Sequence, residues 1–320
     1  VTIERKTISG NTAESVGGGI NKTGTCTLNI SNSTISGNTT LSAGGGIAHS
    51  NGALTLTNST VSGNLVTSTL GAANGGGIIN DVNGTVTLNS VTLSNNSVNN
   101  VAGVGGFANT AGTSVATFNN TNIANSSNNL DCSNNGTINA SYSLIESNLN
   151  CVSGTNSNNL TGDPNLGPLA NNGGTTQTHA LLAGSIAIDK GNSTLPADQR
   201  GLPRPVDLAT YPNAANGSDI GAVELQISPT SANVSVGGRV LTTDGSGLRN
   251  AVVYLTKTDG ETVSTRTSSF GYYRFDDLEA GQTLIISVFH KRYQFTPQVV
   301  TINEVVDNLD FTPQNDSTSR

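Results

Sequence analysis

Apolar and polar positions alternate in short runs that return along the first third of the chain. Leu28/Ile30, Leu54/Leu56 and Val86/Leu88 flank a Thr or Asn, and Val115/Phe118 follows, three apart. Alternation with a period of two predicts half-buried strands. Each run is tied to a polar marker: Thr7-Ile-Ser-Gly-Asn11, Thr34-Ile-Ser-Gly-Asn38, Thr60-Val-Ser-Gly-Asn64 and, more loosely, Thr92-Leu-Ser-Asn-Asn96, whose last residues lie 27, 26 and 32 positions apart. A second marker keeps step: Gly17-Gly-Gly-Ile20, Gly44-Gly-Gly-Ile47, Gly75-Gly-Gly-Ile78 and Gly103-Val-Gly-Gly-Phe107. The glycines and asparagines read as corners that need positive φ. A repeat of this length, with about three short strands, predicts one coil of a parallel β-helix.

Coils are expected from residue 1 to about 130, with irregular lengths absorbed in the loops at 66–74 and 98–103. Each strand would pair with its equivalent one coil away, about 4.8 Å distant. Ile, Val and Leu would stack inside, Thr and Ser would face outward, and Asn at equivalent corners would form amide ladders.

Composition then narrows the function. Charged residues make up 11% and aromatics 4%, with Gly 38 and neither Met nor Trp, which excludes a long helical bundle. Lys+Arg of 14 against Asp+Glu of 21 gives a net charge of -7 and no basic stripe, so no nucleic-acid partner is expected. No apolar run approaches the roughly 20 residues that cross a bilayer as a helix, so no membrane span is expected. Phased alternation separates the chain from a disordered Gly/Asn tract.

The repeat motifs resemble those of bacterial polymorphic outer-membrane and autotransporter-like passengers. From Asp131 the pattern changes to Gly162-Asp-Pro-Asn-Leu-Gly-Pro-Leu169, Asn172-Gly-Gly-Thr-Thr-Gln-Thr-His-Ala-Leu-Leu182, Asp198-Gln-Arg-Gly-Leu-Pro-Arg-Pro205 and Asp219-Ile-Gly-Ala-Val-Glu224. These motifs resemble the end region of secreted bacterial β-helix proteins of the choice-of-anchor Q type, and the likeness covers about residues 1–225. It implies a right-handed β-helix with an irregular cap at about 131–225, and a disulfide between Cys132 and Cys151. Ser218 stands where the family often has a further Cys, so a second bridge is not implied. Rising proline density and fading periodicity agree with a cap over the open edge of the last coil. Asp198, Arg200, Arg204, Asp219 and Glu224 are the obvious ionic partners there, read as a structural network rather than a catalytic or cation site. His179 has no ligand spacing around it and reads as a hydrogen-bonded core residue. Cys26 aligns with Gly52 and Gly84; it is read first as a small buried residue, second as a thiol for intermolecular pairing.

At 226–233 a linker is expected. Beyond it lie five of the 7 Phe, four of the 6 Tyr and eight of the 14 Lys+Arg. Seven strand-like runs follow: 234–242, 251–257, 262–267, 272–275, 283–289, 299–302 and 308–311, a spacing that predicts a β-sandwich. The segments Gly247-Leu-Arg-Asn-Ala-Val-Val-Tyr-Leu-Thr256, Phe270-Gly-Tyr-Tyr-Arg-Phe275, Leu278-Glu-Ala-Gly281 and Tyr293-Gln-Phe-Thr-Pro297 resemble carboxypeptidase-regulatory-like and Cna-B-like domains over 234–313, with a polar tail at 314–320. The resemblance implies a transthyretin/Ig-like sandwich without peptidase activity. Arg239 replaces the Lys of an isopeptide-forming relative, so no such crosslink is expected. Tyr272, Arg292 and Tyr293 are candidates for sugar or peptide contact, and sandwich core or edge protection is the competing reading.

Within 1–130 the charged residues are Glu4, Arg5, Lys6, Glu14, Lys22 and Asp81, with Glu14 and Asp81 on different coils. That does not supply the paired carboxylates of a glycosidase or the ligands of a bound cation. An enzyme is therefore not expected, nor is a cofactor or metal. Val1 aligns with Leu28 and Ile3 with Ile30, so the chain opens in mid-repeat. Val1, Thr2, Ile3, Glu4 and Arg5 are expected to form an open edge for head-to-tail assembly into a homo-oligomer or homopolymer. The expected protein is an exported extracellular or cell-surface filament subunit, its signal peptide removed. The alternative is a monomeric adhesin binding surface glycan or matrix, and a polysaccharide-active enzyme ranks below both. Sequons such as Asn32-Ser-Thr arise readily by chance in so Asn-rich a chain.

Overall fold

The computed structural model describes residues 1–68, 74–99, 103–126, 130–226, 234–257, 260–278, 282–302 and 305–314. The polar tail from 315, the linker at 227–233 and the centres of the two coil loops lie outside the described residues. The chain divides into two compact units, Val1–Gln226 and Ile227–Arg320.

The first unit is a parallel β-helix. Its strands pair into three parallel sheets, as expected, and the largest bends within each coil, so the coils carry four stacks. The first stack places Ile3, Ile30, Leu56, Leu88, Phe118 and Ala140 in register. The second aligns Ile8, Ile35, Val61, Leu93, Ile123 and Ile145. A short third stack begins at Thr12–Ala13 and ends at Ser97–Val98. The fourth carries Ile20, Ile47, Ile78, Phe107 and Cys132. The extra stack arises because one left-handed residue turns the strand without ending its pairing. Asn58 (φ 45°) and Ser90 (φ 51°) do this inside the long strands Gly52–Ser62 and Gly84–Ser94. The columns Ile30–Leu56–Leu88–Phe118 and Ile35–Val61–Leu93–Ile123 form the core. Each fully buried aliphatic side chain contributes about 1.5–3 kcal/mol.

The glycine triplets serve two purposes, only one of which was expected. Gly44 turns a corner at φ 67°. Gly45 has no positive φ; a Cβ there would lie 2.4 Å from the carbonyl oxygen of Gly76 in the next coil. The second and third glycines thus permit close approach of coil to coil.

The coils do not stop near residue 130. Leu130–Asn134, Thr137–Ser141, Leu144–Ile145 and Asn156–Ser157 extend three of the four stacks. Cys132 and Cys151 are bonded, with Cα atoms 5.9 Å apart, and Leu149 and Val152 pack against the core beside them. The irregular segment begins later, and its position differs from an end cap. Residues 162–226 run back along the flank of the helix, over the bends between the first and second stacks. Thr34 Oγ1 donates to Gln177 O (2.5 Å), Asn58 Nδ2 to Ala197 O (2.8 Å), the Ala222 amide to Thr92 Oγ1 (2.9 Å), and Asn120 Nδ2 to Asp219 O (2.7 Å). Those four anchor points lie on four successive coils. The bends expose polar backbone that the stacks cannot satisfy, and a polar strap follows them.

The second unit is a β-sandwich. Val234–Arg239 pairs antiparallel with Tyr272–Leu278. The other sheet has the order Thr262–Arg266, Val252–Thr256, Gln282–Phe289 and Gln298–Ile302, all antiparallel. Val236, Val253, Leu255, Tyr273, Leu284, Ile286 and Phe311 fill the space between them. The seventh expected strand, at 308–311, is reduced to a single parallel bridge between Val240 and Phe311.

Candidate functional site

Four places in the molecule concentrate polar side chains. The densest is the ionic network of the flanking strap. Arg204 Nε donates to Glu224 Oε2 (2.8 Å) and its Nη2 to Gly221 O (3.0 Å), both side chains being fully buried. Glu224 also accepts the amides of Asp219 (3.0 Å) and Val206 (2.7 Å). Asp198 accepts Arg200 Nη2 (2.6 Å) and the amides of Arg200, Leu202 and Glu224. Asp219 accepts the amides of Asp189 (2.8 Å) and Leu225 (2.5 Å). The structure thus brings all five sequence-predicted network residues together, with Asp189 beside them. Burial, reinforced by the Glu224 carboxylate, pushes the Asp219 carboxyl up to about 7, and burial likewise raises Asp189. The carboxylates mainly receive backbone N–H groups that an irregular chain leaves without partners. Acids occupied in this way hold a fold together.

The coils satisfy buried polar groups by neutral ladders. Asn11, Asn38, Asn64 and Asn96 donate amide to amide, each link 2.9 Å. Each Oδ1 also accepts the main-chain N–H of the preceding Asn. A second column runs Lys22, His49, Asn80, Asn109, Asn134, with amide links of 2.8 Å among the asparagines. Burial lowers the pKa of Lys22; burial and then the neighbouring ammonium bring His49 down to about 4. Sequence reading missed this column, although its first four members each stand two residues after the Ile or Phe that closes the glycine marker. His179 is buried with Nδ1 2.7 Å from Gly167 O and Nε2 2.8 Å from Ser62 Oγ, and burial lowers its pKa. It pins the strap to the second stack.

The first coil is the third place. Thr2–Glu4, Thr7–Ser9, Thr12–Ala13 and Ile20–Lys22 each pair with the second coil on one side. Ile3, Ile8 and Ile20 are half-buried, whereas their stack neighbours Ile30, Ile35 and Ile47 are fully buried. Val1 is 82% exposed, with its ammonium donating to Thr27 O (2.9 Å). Glu4 and Arg5 form an exposed pair at 3.7 Å, of the kind that contributes at most about 1 kcal/mol. Cys26 is exposed, not the buried packing residue first expected, because the corner it occupies faces outward.

The fourth place is a groove of about 420 Å³ between the bends of the coils and the strap. Asn89, Asn119 and Tyr142 line it from the coils, and Asn192, Thr194 and Leu195 from the strap. Its lining contains no charged side chain. Sequence analysis did not single it out.

In the sandwich, Tyr272 is 56% exposed with the Arg239 guanidinium 5.0 Å above its ring. Tyr293 stacks on His290 at 5.5 Å and packs against the core, and Arg292 is exposed. Tyr272 and Tyr293 therefore stand in different surroundings. Among the described residues no group of three or more His, Cys, Asp and Glu is placed to hold a metal ion. No described helix is long and apolar enough to cross a membrane.

Residues 235–314 match the family described as carboxypeptidase regulatory-like domain. Comparison with curated proteins finds no match.

Proposed function

We propose that the chain is a non-enzymatic structural protein of the bacterial exterior, exported and displayed as a stiff solenoid with an accessory β-sandwich. The choice-of-anchor Q likeness of the strap motifs supports this placement, and so does the Cys132–Cys151 bridge, since such bonds persist in oxidising compartments. In this reading the ionic network is a fastener for the strap and the coils carry no chemistry. The function we assign to the coils is stacking: the first coil accepts a further coil in register from a second copy, which leads to head-to-tail oligomers.

The observation that carries the reading is the coil-to-coil register: coil strands pair in parallel with their equivalents in the next coil, and Ile30, Leu56, Leu88 and Phe118 continue as one buried column, so a coil is a template for another. An unpaired strand row attracts another chain. Sedimentation velocity over a concentration series tests it, together with negative-stain imaging. The chain should form rods that lengthen with concentration, and Ile3→Lys with Ile8→Lys should return it to monomer. Monodisperse particles at every concentration would sink the stacking reading. The monomeric adhesin is the second reading, favoured by the groove.

A further inference from the structure

We infer that the groove between the coil bends and the strap is a binding site for a neutral oligosaccharide. Three observations carry this beyond a stacking role. The first is size: about 420 Å³ lies within the range of ligand pockets, roughly 300–1,000 Å³. The second is chemistry. The lining offers amides and hydroxyls, one tyrosine and one leucine, and no charge. Such a surface suits a ligand that is rich in hydroxyls and uncharged; an anionic polymer or a peptide terminus would find no counter-ion. Asn119 Nδ2 donates to Asn89 Oδ1 (3.0 Å), which orients the pair and leaves the other half of each amide for a ligand. Beneath them Ser90 and Ser193 share a hydrogen bond (3.1 Å), and the Asn192 amide donates to Asn120 Oδ1 (2.8 Å), so the floor is already arranged.

The third observation is Tyr142. The bend position of successive coils holds Arg5, Asn32, Asn58, Ser90 and Asn120, all at φ of 45–55°, and after Arg5 the side chains are short and polar. Short polar side chains tolerate that left-handed backbone. Tyr142 takes the same place at φ 49°, where an aromatic is disfavoured. It lines the groove one coil beyond Asn119 and Asn120. A residue held against its backbone preference, beside ladder amides that repeat at the spacing of stacked strands, provides an apolar face for a pyranose ring and polar groups for its hydroxyls. Sequence shows Ser141-Tyr-Ser143 in a register that reads Glu4-Arg-Lys6, Ser31-Asn-Ser33, Thr57-Asn-Ser59, Asn89-Ser-Val91 and Asn119-Asn-Thr121 in the earlier coils, none of them aromatic.

Isothermal titration calorimetry of the full chain tests the inference. The probes are hexasaccharides of β-1,4-glucose, β-1,4-N-acetylglucosamine, β-1,4-mannose and α-1,4-glucose, with oligogalacturonate as the anionic control. At least one neutral probe should bind and the anionic one should not. Tyr142→Ala should weaken binding roughly tenfold, the loss of one aromatic contact, and Tyr142→Phe should retain it. Tyr142→Asn is the deciding variant. It restores the ordinary bend residue, so the melting temperature should hold or rise while binding falls. A structural tyrosine would give the reverse. Absence of heat with every neutral probe, unchanged affinity in Tyr142→Ala, or binding of the anionic probe alone would overturn the inference. Cleavage of a bound probe would support the groove and count against the non-enzymatic reading, whereas stacking stands or falls separately by sedimentation.

Discussion

The coils and the strap lie side by side in one unit and solve one problem by opposite means. Both bury backbone and side-chain polar groups that must find partners. In the coils the partner of each group is its own equivalent one turn away, so neutral amides suffice: Asn64 Oδ1 accepts two N–H bonds from Asn38, and its Nδ2 donates to Ile35 O and Asn96 Oδ1. The strap has no repeat. Its amides point in unrelated directions, and one acceptor must serve several of them. Only a carboxylate has enough lone pairs, and Asp198 and Glu224, which serve the most donors, are each paired with an arginine. The charge-poor first unit therefore concentrates its charges where periodicity ends.

The largest expected effect tests the strap. Glu224→Ala would leave the buried Arg204 without its counter-ion and the amides of Asp219 and Val206 without their acceptor. A loss of about 3–5 kcal/mol is expected in chemical denaturation. The sharper experiment is the pair Arg204→Met with Glu224→Leu. If the ion pair alone mattered, the apolar pair would restore stability. Because two amides stay orphaned, recovery should be partial, and full recovery would break the contrast between strap and coil.

The ladder gives the next largest effect. Asn64→Ala removes four hydrogen bonds at a fully buried site, with an expected cost of about 2–3 kcal/mol. Asn11→Ala, at the exposed end, removes only the side-chain donation to Asn38, leaves the main-chain one in place, and should cost less than about 1 kcal/mol. Equal losses at the two sites would mean that ladder position is irrelevant.

The same contrast explains what could be read from sequence. Periodic structure repeats its own reasons, so stacked Leu56, Leu88 and Phe118, the Asn38–Asn64–Asn96 ladder and the existence of a solenoid were legible from spacing alone. The fourth stack was not, because the one-residue phase slip at the bend, from Leu56 to Val61 and from Leu88 to Leu93, reads as the end of a strand and not as the start of a second stack. Nor was the extent of the coils, since residues 130–157 keep the register while losing the glycine marker. In the strap, motif likeness grouped Asp198, Arg200, Arg204, Asp219 and Glu224, but their placement along the flank depends on single contacts such as Gln199 Oε1 accepting from Thr60 Oγ1 (2.7 Å). Such contacts have no periodic signature. The groove escaped for the same reason: it needs Asn192 and Thr194 brought beside Asn89, over a hundred positions earlier.

The last effect is on pH, where the buried acids of the strap and the buried histidines act with opposite sign. Asp219 has its carboxyl raised to about 7, chiefly by burial and then by Glu224. A raised acid binds its proton more tightly when folded, so its contribution is fully present below the unfolded value near 4 and is lost as pH rises through about 7. Asp189 acts in the same direction. His49, lowered to about 4 by burial and then by Lys22, acts oppositely: its contribution is present above about 6.5 and is lost as pH falls towards 4. His179, lowered by burial, follows it. The two groups therefore offset each other in the intact chain between about pH 4 and 6.5. Asp219→Asn removes one side. Relative to the parent it should be least stable at and below about pH 4, recover as pH rises from about 4 to 7, and level off above 7, where the parent carries a buried charge that the variant lacks. Denaturation at a series of pH values reads that difference directly. A difference that stayed flat, or widened with pH, would show that the strap holds Asp219 as an anion, in the manner of Asp198 and its arginine, and that its burial is fully compensated by the amides it accepts.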